Sequence, residues 1–124
     1  MATMIRVGQP PYLECSSQGD KRFSAFCAMI GQESIESRYQ GAKVLADGRT
    51  GLHWRKAKGM PAVNADAVAL LYKHLWKIYL DLNPMLWLVL HEATGLSDMF
   101  GKKGHVCQAI TLWELREESL KEEL

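Results

Sequence analysis

Apolar residues recur at intervals of three and four along most of the chain, the period of helices that bury one face. Phe23, Phe26, Cys27 and Ile30 predict a short amphipathic helix over 22–30, with its aromatics turned inward and Gly31 as its stop. Ile35, Tyr39, Ala42 and Ala46 predict a second helix over 34–46. Its start is marked by Ser34, whose hydroxyl can accept from a first-turn amide, and by Glu36 near the positive end of the helix. Beside the apolar stripe, Glu36, Gln40 and Lys43 form a polar one at spacings of four and three. The turn Asp47-Gly48-Arg49-Thr50-Gly51 leads into a short helical segment over 52–58.

Asn64 can cap a long helix over 64–82, in which Val68, Leu71, Leu75, Trp76, Ile78 and Tyr79 make a broad apolar face. Pro84, at a first helical position, opens the next helix, where Leu86, Leu90 and Ala93 are buried and Gly95 ends the run. A last helix over 106–122 turns Val106, Ile110, Trp113 and Leu120 to the core and leaves Glu114, Glu117, Glu118, Glu122 and Glu123 in water. Two stretches lack the helical period. Residues 1–21 contain Pro10-Pro11 and read as a short strand at 4–7 followed by extended chain; residues 94–105 contain three glycines and read as a loop that can wrap a ligand or simply connect. The expected fold is predominantly α, with α+β as the wider class: an extended segment over 1–21, then one globular domain over 22–124.

With 124 residues, 48% of them hydrophobic and 23% charged, the chain can bury a core without a disulfide scaffold. Its net charge of +1 hides an asymmetry, because residues 1–63 carry nine basic and five acidic groups while the remainder carries six and nine. That is a basic first half, but not the dense cationic stripe of a protein that holds duplex DNA by phosphate neutralisation. Cys15, Cys27 and Cys107 have neither zinc-site spacing nor a disulfide pattern, which points to a reducing cytoplasm. The opening residues lack a signal-peptide pattern, and the apolar run 85–90 is far short of the roughly 20 residues that span a bilayer.

Glu36 is the leading chemical candidate, since a carboxylate there can take a proton, hold a sugar hydroxyl or orient a water, with Lys43 near enough to meet a phosphate. It can equally be a capping acid. Asp98 is the second carboxylate, and two acids from separate elements can divide protonation from water activation; by itself it can also serve as a loop cap. Phe23, Trp54, Phe100 and Trp113 offer an aromatic wall, and Arg22, Lys43, Arg55, Lys56 and Lys58 offer cations for pyrophosphate, although most aromatics in so small a chain fill the core. The histidines have no metal spacing; His74 and His91 read as helix decoration, and His105 is the one with chemical promise. Cys107 is a nucleophile only if a neighbour lowers its pKa, and a buried structural thiol is the default. There is no GxxxxGK phosphate loop and no GxGxxG junction.

The ordered segments Arg22-Phe23-Ser24-Ala25-Phe26, Ser34-Ile35-Glu36 through Lys43, Ala57-Lys58-Gly59, Asn83-Pro84 with Thr94-Gly95, and Leu112-Trp113-Glu114-Leu115-Arg116 cover about residues 22–116. Together they resemble the NADAR family. The resemblance implies a compact, mostly helical fold and an N-glycosidase that needs no cofactor and no metal. Its substrate would be an ADP-ribosylated guanine, free or in nucleic acid, or a related ribosylated nucleotide such as an early riboflavin-pathway intermediate. It carries a catalytic role to Glu36, in a motif like S-x-E-x-x-x-Q-x-x-K, and to Asp98. Arg22, Phe23, Gln40, Lys43, Trp54, Arg55, Lys56, Phe100 and His105 would bind substrate. Three departures stand out. Ala25 replaces a usual asparagine, Asp98-Met99-Phe100-Gly101 replaces an acidic segment ending in tryptophan-glycine, and 104–109 poorly keeps a glycine-asparagine-leucine-glycine pattern. They motivate a competing reading, a catalytically diverged ligand-binding or inhibitory protein that acts through a macromolecular partner. An adaptor using the acidic last helix is the third.

Overall fold

The computed structural model describes residues 3–101 and 106–122. Its strands are β1 (Ile5–Gly8), β2 (Tyr12–Glu14), β3 (Met29–Ile30), β4 (Glu33–Ser34) and β5 (Gly95–Asp98). Its helices are α1 (Ile35–Gly41), α2 (Trp54–Ala57), α3 (Ala65–Leu82), α4 (Pro84–Glu92) and α5 (Gln108–Glu122). The fold is mostly helical, with a small sheet at one side, which makes it α+β.

That sheet has the order β1-β5-β2, with β5 antiparallel to β1 and parallel to β2. All four residues of β5 are buried, as expected for a central strand covered on both faces. Its sequence, Gly-Leu-Ser-Asp, has no alternating apolar pattern, so the strand was hidden inside the segment expected to be a loop. Gly95 belongs there for a steric reason: a Cβ would lie 2.3 Å from the Gln9 carbonyl oxygen and 2.7 Å from the Tyr12 ring. Leu96 is fully buried in the core, and the Ser97 hydroxyl donates to Glu14 at 2.8 Å. The strand expected at 4–7 forms as β1, and β2 follows the cis Pro10–Pro11 peptide.

The core is built on α3, which packs against α1, α4 and α5. Val68, Tyr72, Leu75, Trp76, Tyr79 and Leu80 form its buried face, and the edge-on pairs Tyr39–Tyr72 and Trp76–Tyr79, at 5.2 and 5.5 Å, lock it to α1 and to itself. α4 begins at Pro84 as expected and buries Leu86 and Leu90. Arg116 of α5 caps it, donating to the Leu90 and His91 carbonyls at 3.1 and 3.2 Å while its guanidinium stacks over Trp113.

Three expectations are corrected. The helix expected over 22–30 is a 3-10 turn, Lys21–Phe23, followed by a hydrogen-bonded turn over 25–27 and β3. Phe23 is buried but Phe26 is exposed, because the Ala25 and Ala28 carbonyls accept from the Glu36 and Ile35 amides instead of extending a helix. The helix expected over 34–46 starts at its Ser34 cap, whose hydroxyl accepts from the Ser37 amide at 3.0 Å, but ends at Gly41. Beyond it Val44 bridges to Thr50 and Leu45 to Ala62. α5 buries Ala109, Leu112 and Leu115 most deeply, while the expected Val106, Ile110 and Trp113 pack against the core only partly buried, Trp113 lying over the sheet edge against Gly8.

The Gly95 contact generates a stability prediction. Gly95→Ala lowers the unfolding free energy by about 1–3 kcal/mol, the usual range for overpacking, in urea denaturation followed by circular dichroism. A wild-type midpoint would contradict the β1-β5-β2 packing.

Candidate functional site

Asp98, at the end of the central strand, and Glu36, in the first turn of α1, open into one cleft of about 1020 Å³. This is at the upper end of the size of small-molecule sites. α1 contributes Glu36, Tyr39 and Gln40, and Lys43 follows it; α3 contributes Val68 and Tyr72; the start of α5 contributes Gln108; and Phe26, Lys58 and Phe100 stand around the opening. Phe26 and Phe100 are 42% and 44% exposed, unusual for phenylalanine and suited to a flat ring laid against them.

Glu36 is 7% exposed. Its Oε1 accepts from Gln40 Nε2 at 2.8 Å, the one-turn spacing read from the sequence. Burial pushes its pKa above the ordinary 4.5, and the Gln40 hydrogen bond and the charges of Lys58 and Lys43 oppose the shift. Lys43 is also buried, and its Nζ reaches only the Ala57 and Met60 carbonyls, at 3.4 and 3.3 Å, without a carboxylate within ion-pair distance among the described residues. Burial lowers its pKa and the Glu36 charge partly restores it. Asn64, expected as a side-chain cap for α3, instead brackets this lysine: its Oδ1 accepts from the Val44 amide at 2.9 Å and its Nδ2 donates to the Ala42 carbonyl at 3.1 Å.

On the opposite wall, Asp98 Oδ1 accepts from the Phe100 amide at 3.0 Å and Oδ2 from Gln108 Nε2 at 3.1 Å. Gln108 Oε1 in turn accepts from the Ala25 amide. The Ala25 carbonyl accepts from the Glu36 amide at 2.9 Å, so a chain of hydrogen bonds runs from one carboxylate's strand to the other's helix.

The expected site residues therefore divide. Glu36, Gln40, Lys43, Asp98 and Phe100 line the cleft. Phe23 is in the core, and Arg22 is spent on Asp20, with bonds of 3.0 and 2.7 Å, so neither lines the cleft. Trp54 stands behind the rim, edge-on to Phe26 at 5.5 Å, and carries Arg55 on its face. Arg55 and Lys56 are exposed outside the cleft, and the basic residue that α2 delivers to it is Lys58, 5.0 Å above the Phe26 ring. His105 lies outside the described residues. Gln108 and Phe26 were missed as site residues, and the signals were faint: a glutamine at a helix start and an aromatic that the helical period assigned to the core.

Among the described residues no group of three His, Cys, Asp or Glu side chains can hold a metal ion, and no helix is long and apolar enough to cross a membrane. No family model, curated protein or solved structure matches the chain. The site's chemistry has to be argued from its own residues.

Two predictions test this geometry. Gln108→Leu leaves the Ala25 amide unpaired and Asp98 Oδ2 with only the weak Cys107 thiol donor in a buried place, and costs about 1–3 kcal/mol of stability in urea unfolding, with the Ala25 amide losing protection in hydrogen exchange. Glu36 has a native pKa above its unfolded value, so its contribution to stability is greatest below 4.5 and falls as the pH rises through the raised native value. Glu36→Gln therefore raises unfolding free energy at about pH 7, and the gain shrinks as the pH falls from the raised native value toward 4.5, below which nothing more changes. A constant gain at every pH would contradict a desolvated carboxylate.

Proposed function

We propose that the protein hydrolyses an N-glycosidic bond in an ADP-ribosylated guanine or related ribosylated nucleotide, in the manner of the NADAR family its motifs resemble. The reading rests above all on the convergence of two carboxylates from distant parts of the chain, Glu36 and Asp98, on one cleft. Around them stand the groups such a substrate requires: Lys43 and Lys58 for phosphate, and Phe26 and Phe100 for a base.

Chemically, a water oxygen bonds to the anomeric carbon as the carbon–nitrogen bond breaks. The bonding pair leaves with the base, the water gives a proton to Glu36, and the departing nitrogen takes up a proton from solvent, matched by the one Glu36 returns to solvent when the products leave. One water is consumed and no electrons are exchanged. Glu36 suits the role of base because its burial raises its affinity for a proton. Asp98, held by the Phe100 amide and Gln108, orients the water and assists protonation of the leaving nitrogen. In this assignment Lys43 keeps the phosphate role expected of it, and Lys58 takes the part expected of Arg55 and Lys56.

Three free cysteines fit a reducing, cytoplasmic setting. The adaptor reading has less to draw on, because Lys73 already binds Glu114 and Glu118 and Arg116 binds Glu117, so part of the acidic face of α5 is engaged within the molecule.

Wild-type and Glu36→Gln proteins incubated with ADP-ribosylated guanine nucleic acids, ADP-ribose conjugates and riboflavin-pathway intermediates, with products read by mass spectrometry, provide the test. Release of base by the wild type, reduced at least about 100-fold in the variant at unchanged circular dichroism, is the expected result. Equal turnover by both removes Glu36 from the chemistry. Tight binding without release moves the protein to the ligand-binding reading.

A further inference from the structure

The short helix α2 carries cations that the fold leaves without counter-ions. Elsewhere Arg22, Arg49, Lys73 and Lys77 each meet a carboxylate within 3.2 Å. Arg55, Lys56 and Lys58 are exposed, and none of them has a carboxylate at ion-pair distance among the described residues. No acidic residue occurs between Asp47 and Asp66, so nothing nearby in the sequence can supply one. In place of carboxylates these cations have rings. The Arg55 guanidinium stands 5.2 Å from the centre of the Trp54 ring, and the Lys58 ammonium stands 5.0 Å from that of Phe26 and 6.0 Å from that of Trp54. Phe26 is edge-on to Trp54, and His53 stacks on Trp54 with ring centres 5.8 Å apart. A ring face attracts a cation without neutralising it, so the charge stays available to an anion.

Exposed rings beside unneutralised cations match a ligand that alternates phosphates with flat bases. We propose that α2 and Phe26 form a docking surface for single-stranded nucleic acid, starting at the mouth of the cleft and leading away from it. Only Phe26 and Lys58 belong to both; Arg55 and Lys56 lie outside the cleft, and the strand they take needs no modified nucleotide. Its phosphates meet Arg55, Lys56 and Lys58, and one of its bases lies on the Phe26 ring, which is 42% exposed. A duplex keeps its bases stacked and closed to Phe26, and a helix of four residues is too short to lie along a groove. An acidic polypeptide would satisfy the cations and leave the rings idle. The surface has no carboxylate or carboxamide with which to recognise a 2′-hydroxyl, so it reads phosphate and base and accepts a strand of either sugar. One consequence rests on the hydrolytic reading: the cleft's substrate is then a nucleotide within a strand rather than a free nucleotide.

The test is fluorescence anisotropy of the full chain with unmodified oligo-dT, oligo-rU, a duplex and polyglutamate, all of about twelve units and each titrated at several salt concentrations. Both single strands bind, and the logarithm of their affinity falls against that of salt with a slope of about −2, as about three phosphate contacts require. Arg55→Gln combined with Lys56→Gln weakens both at least about tenfold and brings the slope to about −0.7, that of one remaining contact. Phe26→Leu weakens both at least about fivefold and leaves the slope as it was. The replaced side chains are exposed, so both variants keep the wild-type thermal midpoint. No binding of either single strand, a duplex bound as tightly, or full affinity in either variant overturns the proposal; so does polyglutamate bound as tightly as oligo-dT, which gives the surface to an acidic protein partner. Its failure is separable from failure of the hydrolytic reading: strand binding without base release keeps the surface and rejects hydrolysis, and base release without strand binding does the reverse.

Discussion

Both hydrogen-bonding groups of the buried Ala25 peptide unit are committed to distant parts of the chain: its amide to the Gln108 side chain, and its carbonyl to the Glu36 amide. Since Gln108 also holds Asp98, this one residue of irregular backbone ties the start of α1, the start of α5 and the end of β5 together. Each bond contributes only about 1 kcal/mol net, but leaving any one unmade in the interior costs more than making it gains. The three segments are therefore fixed as a set, and the two carboxylates with them. The small side chain at position 25 suits this role, because two other elements close over it.

The same region works against stability. A buried carboxylate with one amide donor and a buried ammonium with two long carbonyl contacts are poor substitutes for hydration, and their mutual attraction offsets only part of the loss. Groups that served only the fold would be better apolar. Tyr72, Val68 and Leu96 nearby show that this part of the chain can fill a core when it needs one. Asn64 shows the compensating investment: an amide that is placed to cap α3 is used to hold the backbone on both sides of Lys43.

How much of this was legible in the sequence follows from where each element's information resides. α3 and α4 announce themselves through local signals, an apolar stripe repeated over several turns and a proline at a helix start, and both start where those signals place them, although α4 ends at Glu92 and Gly95, expected to stop it, opens β5. The Glu36–Gln40 pair was legible for the same reason, since spacing along one helix places side chains on one face; Lys43 reaches the same cleft although α1 ends at Gly41 before it. β5 was not legible. Its four residues carry no period, and what makes them a strand is the sheet partners at Ile5–Gly8 and Tyr12–Glu14, far away in sequence. The 22–30 segment misled in the opposite direction: it has a helical period, but its carbonyls have better partners in tertiary structure. The cations divide by the same logic. Arg22 was lost to a neighbouring aspartate, and only coordinates could tell Lys58 from Arg55 and Lys56.

This distribution bears on how the cleft comes into being. Glu14 accepts from Ser97 and from the Met99 amide, 83 and 85 residues further along, and Ser16 and Ser17 next to it line the cleft. Gln108 reaches Ala25 over 83 residues. The walls of the cleft come from separate stretches of chain, so the cleft does not exist in a partly folded molecule in which β5 has not found both its partners. Closing such long loops is entropically costly and is repaid only when the whole set of contacts forms together. The cleft is thus as cooperative as the fold itself. Damage to Gly95 or Ala25 reaches Glu36 and Asp98 without touching either, because what places the two carboxylates in one cavity is the closure of the chain around them.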